Sequence, residues 1–171
     1  MSKNLHPGEA MPELEIPRLG GGVVKLGGKG RWQLVVVYRG KHCPICKTYL
    51  LALEGLKDEF AKLNTEVVTF SADPAEKAAA HMEDLKLTIP VGYGLTLDQM
   101  RALGLYISNP RDANETDRPF AEPGLFVVNP DGLLQAVDRA NAPWLRPDLA
   151  MVARGIGVVQ TRLPQIRGTA A

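Results

Sequence analysis

The sequence predicts an α/β domain, a central mixed β-sheet with helices on both faces. Three observations carry that expectation. Residues 33–38 (QLVVVY) form a near-continuous run rich in valine, the composition of a strand covered on both sides. A helical apolar stripe follows, and the strand-then-helix pattern repeats from residue 66. A hairpin signal and a terminal helix close the chain.

In chain order, residues 1–31 are turn-rich, with Gly-Gly pairs around two short apolar stretches, and read as a lead-in β-hairpin. After the 33–38 strand a helix opens near Pro44. Tyr49, Leu53, Leu56, Phe60 and Leu63 recur at steps of four and three, giving one apolar stripe. Residues 66–70 form a second strand. Asp73 can then cap a helix, with Pro74 at its first position and Glu76 completing a capping box. That helix runs to about Lys86, and His81 reads as a surface residue on it. Thr96 and Gln99 repeat the capping pattern before a short helix stopped by Gly104. Residues 108–122 are polar and irregular and read as a loop. A strand over 125–128, the Asn129-Pro130-Asp131-Gly132 turn and a strand over 133–137 make a hairpin. Residues 147–163 form a terminal helix weakened by Gly155 and Gly157. Trp32 and Trp144 read as packing residues. With no repeat or linker, residues 1–171 read as a single domain.

Composition narrows the function. The 171 residues are 45% hydrophobic and 23% charged, enough for one sizeable core without metal or disulfide staples. Twenty Lys and Arg against 19 Asp and Glu give a net charge of +1, so no global field draws in nucleic acid or an anionic membrane. The clean apolar run 35–38 is far short of the ~20 residues that span a bilayer. Residues 1–21 show no secretory h-region, so a cytoplasmic location is expected. Two cysteines are no disulfide framework, and a pair that oxidises in that compartment is catalytic or redox-sensing.

Those cysteines are Cys43 and Cys46, in Cys43-Pro44-Ile45-Cys46, at the opening of a helix just after a buried strand. Helix-opening N–H groups favour a thiolate at Cys43. Arg39, Lys41, His42 and Lys47 crowd the same segment, with no carboxylate between Arg39 and Leu53. An ordinary thiol is only ~3% thiolate at pH 7, whereas one with its pKa near 7 is about half ionised. A three-residue step brings both sulfurs to one face of the helix, where a disulfide can close. A structural zinc site needs four ligands and this chain offers one cysteine pair, so no metal is expected. His42 is a candidate general base, or a charge that lowers the thiol pKa; an exposed loop histidine is the plainer alternative.

Residues 38–46 (YRGKHCPIC) resemble the Y-R-G-x-W-C-P-x-C segment of peroxiredoxin-like proteins. Those proteins form the alkyl hydroperoxide reductase/thiol-specific antioxidant (AhpC/TSA) group of the thioredoxin superfamily. Residues 68–73, 90–95 and 122–128 are similar too, and the likeness runs from about residue 7 to 153. It implies a thioredoxin-like fold and thiol redox chemistry without a cofactor. The chain departs from the peroxidatic pattern P-x-x-x-T-x-x-C. Its Pro falls on Arg39, its Thr on Cys43, its peroxidatic Cys on Cys46, and its distant Arg near Pro123. The thioredoxin comparison implies instead that Cys43 is the exposed nucleophile, that Cys46 resolves, and that Pro123 is the cis-proline shaping a docking groove. In that comparison Val37 replaces a buried acid and His42 a Trp.

Three functions follow, in order of preference. The first is a thiol oxidoreductase of antioxidant type, cycling Cys43 and Cys46 to reduce or exchange disulfides. The second is a thiol peroxidase acting on hydrogen peroxide or alkyl hydroperoxides. The third is a non-enzymatic redox-sensing module. The partners implied are a thiol or disulfide substrate, a reducing thiol donor of thioredoxin or glutathione type, and a second copy in a homodimer.

Overall fold

The computed structural model describes residues 4–170. Its centre is a mixed sheet in which β3 (Trp32–Val37) pairs in parallel with β4 (Thr65–Phe70) and antiparallel with β8 (Gly124–Val128). With β5 (Val91–Gly92) and β9 (Leu134–Arg139), the strand order is β5-β4-β3-β8-β9. Helices α1 (Pro44–Gly55), α2 (Lys57–Lys62), α3 (Ala75–Leu85), α4 (Leu97–Ala102) and α5 (Leu149–Thr161) complete the α/β architecture. Two small antiparallel pairs lie outside the main sheet: β1 (Leu14–Pro17) with β2 (Val23–Leu26), and β6 (Ile107–Ser108) with β7 (Phe120–Ala121).

The continuous apolar run of β3 has a direct cause. Val35 and Val37 enter one core beside Phe70, Leu103, Phe120 and Phe126. Leu34 and Val36 enter a second core on the opposite face, with Cys43, Cys46, Leu50 and Phe60. A central strand whose two faces are both buried has no position left for a polar alternation. Burying each such side chain contributes roughly 1.5–3 kcal/mol. Among the described residues, no helix is long and apolar enough to cross a membrane.

Three local readings are corrected. The stripe after Pro44 is two helices, because the chain breaks at Leu56. The buried stripe of α1 is Cys46, Leu50 and Leu53, while Tyr49, Leu56 and Leu63 are only partly covered. Asp73 does not cap α3, whose N-cap is Pro74 without a side-chain bond. Its carboxylate instead accepts the Lys41 backbone N–H at 2.7 Å, tying the loop after β3 to the start of α3. His81 is buried, its ring centroid 5.9 Å from that of Tyr38. By contrast Thr96 and Gln99 form both bonds of a capping box on α4. The loop over 108–122 is cinched at its base by the β6–β7 pair.

Candidate active site

The loop that leaves β3 delivers the cysteines. At Gly40 the backbone has φ of +143°, and a Cβ there would lie 2.7 Å from the Asp73 carboxylate, so only glycine fits. Cys43 N–H donates to the Gly40 carbonyl at 3.1 Å, and Cys43 then becomes the N-cap of α1. Its sulfur takes the place a serine or aspartate oxygen usually fills, accepting the Cys46 backbone N–H at 3.2 Å. Pro44 sits at the first helical position, where a missing N–H costs nothing.

Both cysteines are free thiols and both are enclosed, with Cys43 1% and Cys46 0% exposed. An exposed nucleophile at Cys43 is therefore not what the fold provides. Cys46 is the neighbour that most favours a charged Cys43. A proton shared from the Cys46 thiol is the largest influence lowering the Cys43 pKa; burial opposes it, and the Cys46 N–H, Arg146 and Arg39 reinforce it. Donating its proton to Cys43 holds the Cys46 thiol up, burial adds to this, and Arg146 works against both. The pair thus holds one proton and one negative charge, with the charge on Cys43. A lowered pKa leaves the thiolate present above it and lost as pH falls through it. Alkylation of the reduced protein by iodoacetamide should therefore be level with pH at neutrality, where free cysteine still gains reactivity with each step upward. A profile that climbs in parallel with free cysteine would count against a charged Cys43.

Arg146 is the residue that sequence reading missed. Its Nη2 lies 2.8 Å from the Cys46 sulfur, and its guanidinium stacks 4.6 Å above the Tyr49 ring. Arg146 Nε donates to the Pro143 carbonyl within the same segment, and Tyr49 OH donates to the Pro147 carbonyl, so the segment is pinned to α1 at residues 146 and 147. The only sequence signal was an arginine between two prolines, one hundred positions from Cys46.

The cations beside the motif are placed differently from the sequence expectation. Arg39 pairs with Glu115 at 3.4 Å and Glu122 at 3.3 Å, both brought in by the 108–122 loop, and stacks on Phe120 at 4.8 Å. Lys41 faces Asp84 at 3.6 Å. The His42 ring lies edge-on to Phe120 at 4.7 Å, with neither ring nitrogen hydrogen-bonded. Burial, helped by Arg39, lowers its pKa, so His42 is neutral at pH 7 and adds no positive charge at the sulfurs. Pro123 is buried, its carbonyl accepts from Ala140 N–H at 3.0 Å, and no cis peptide occurs among the described residues. A trans proline with its carbonyl already bonded presents no free edge to an extended substrate. Among the described residues no cluster of three His, Cys, Asp or Glu could hold a metal ion.

A model of the AhpC/TSA family matches residues 7–137, three-quarters of the sequence, including both cysteines. The chain belongs to the AhpC/TSA family. Arg146 lies outside the matched stretch of this AhpC/TSA chain. It is 28% identical over 137 residues to a peroxiredoxin of Thermotoga petrophila, covering 76% of this chain and 60% of the relative. It is 26% identical over 132 residues to alkyl hydroperoxide reductase C of Amphibacillus xylanus, covering 77% and 68%. The chain thus spans about 60% of the length of the first curated peroxiredoxins it matches. Among solved structures, peroxiredoxin 6 of Arenicola marina superposes with a TM-score of 0.77 at 20% identity, covering 92% of this chain and 74% of that one. A peroxiredoxin-like protein from Aquifex aeolicus gives 0.76 at 15%, covering 91% and 88%. The fold is the thioredoxin-like one of peroxiredoxins.

Proposed function

We propose that this protein is a thiol peroxidase that reduces hydroperoxides with its Cys43/Cys46 dithiol, in the cytoplasm. One observation carries the proposal: two free thiols at the N-terminus of α1, linked by the Cys46 N–H bond to the Cys43 sulfur and both shut away from solvent. A buried sulfur is out of reach of a protein disulfide, whereas a hydroperoxide is small enough to enter with slight breathing of the loop. Enclosure thus reverses the order of preference read from the sequence.

In the first step the Cys43 thiolate attacks the terminal peroxide oxygen. The O–O bond breaks, Cys43 becomes a sulfenic acid and the leaving alkoxide takes a proton from water, the Cys46 thiol keeping its own. In the second step the Cys46 sulfur attacks Cys43, the S–O bond breaks, water leaves and the disulfide forms. Two electrons have passed from the dithiol to the peroxide. Arg146 acts in this second step, because Cys46 must shed its proton as it attacks and the guanidinium offsets the growing charge. A small external thiol of glutathione type then restores the dithiol by exchange, since the enclosure that bars a protein disulfide bars a protein thiol as well. The disulfide chemistry is the regenerating half of the same cycle.

Rapid mixing of the reduced protein with hydrogen peroxide tests the reading. The expected rate exceeds that of free cysteine by orders of magnitude. A rate equal to free cysteine would leave disulfide exchange as the sole activity.

A further inference from the structure

We propose that the groove between α5 and the outer strands of the sheet binds a small lipophilic amine, its ammonium on Asp138 and its apolar body along α5. The groove encloses about 600 Å³, within the range of sites for small organic molecules. Trp32, Leu125 and Val127 form the sheet side, and Val152, Ile156 and Val159 the helix side. Nothing in the proposed peroxide chemistry uses this space, so the inference stands apart from that reading.

Two features argue for an occupant of this kind. The first is Gly155. It lies mid-helix, where glycine is a poor helix former, and a Cβ built on it would meet nothing within 4 Å. The bare backbone at that point keeps the groove open. The second is Asp138, a half-buried carboxylate on an otherwise apolar wall. Among the described residues, no donor or cation pairs with it. Arg139, next in sequence, bonds Asn4 and the Gly104 carbonyl, and Arg146 bonds the Cys46 sulfur. Burial raises the Asp138 pKa, the direction expected of a carboxylate without a partner. A ligand ammonium supplies the missing charge. An anionic head would have to sit instead at the far end, about 10 Å along β9, where Gln135 bonds the Gln165 carbonyl and Arg167 is exposed.

Calorimetric titration of the reduced protein at pH 7 with 1-naphthylmethylamine, and with 1-naphthaleneacetic acid as the sign-reversed control, tests this. The amine is expected to bind in the micromolar range and the acid at least ~10-fold more weakly. Asp138→Asn should weaken the amine by ~10-fold or more. Gly155→Phe should abolish binding while leaving the circular dichroism spectrum and the alkylation rate of Cys43 unchanged. Should the Phe variant fail to fold, Gly155→Leu fills less of the groove and should still weaken binding. The proposal is overturned if the amine does not bind at millimolar concentration, if the acid binds equally well, or if both groove variants bind like wild type. It is equally overturned if sedimentation shows a dimer that excludes the amine, since a second copy would then be the occupant.

Discussion

Under the proposed chemistry Cys43→Ser is expected to abolish the fast peroxide reaction, leaving a rate no greater than that of a buried, protonated thiol, a fall of several orders of magnitude. The loss follows from the charge residing on Cys43, which alone receives both the Cys46 thiol and the Cys46 backbone N–H. Cys46→Ser has a different outcome. The serine hydroxyl still donates to Cys43, so the first oxidation persists, but the reaction halts at sulfenic acid and catalytic turnover is lost. Dimedone trapping followed by mass measurement reads the two states apart. If Cys46→Ser instead eliminates the first oxidation, the attacking sulfur is Cys46 and the direction of charge sharing is the reverse.

Arg146→Ala is expected to slow disulfide closure by about ten- to a hundredfold, with a smaller effect on the first oxidation. Two unit charges at 4 Å interact by about 4 kcal/mol in surroundings of intermediate polarity, so even partial loss of that stabilisation is felt at the Cys46 sulfur. The variant accumulates the sulfenic acid that wild type converts quickly, and single-turnover mixing resolves the two phases. Arg146→Lys recovers only part of the rate, because an ammonium cannot both reach the sulfur and cover the Tyr49 ring as the planar guanidinium does. An unchanged closure rate in Arg146→Ala would remove this residue from the chemistry.

The sequence announced whatever is local. The β3 run, the Thr96–Gln99 box and the Cys43 opening of α1 each depend on neighbours within a few residues, and each stands where its pattern says. Long-range effects were not legible. Arg39 beside the cysteines looks like free charge until the 108–122 loop brings Glu115 and Glu122 onto it. Asp73 looks like a helix cap, but a turn that needed an acceptor for Lys41 N–H claimed it first. His81 looks exposed from helical phase alone, because nothing local says that Tyr38 lies over it. Arg146 was invisible, since no local pattern links position 146 to position 46.

Cys43 caps α1 through a sulfur that is fully an acceptor only while it carries charge. Closing the disulfide removes that charge and with it most of the cap, so the oxidised protein holds its first helical turn more loosely than the reduced one. In a thermodynamic cycle, any bond kept by the reduced state alone raises the reduction potential. A helix cap is worth ~1 kcal/mol and 1.4 kcal/mol corresponds to about 30 mV for a two-electron couple, so the shift is roughly 20 mV. The folding of one helix end is thereby written into how strongly this protein pulls electrons from its donor.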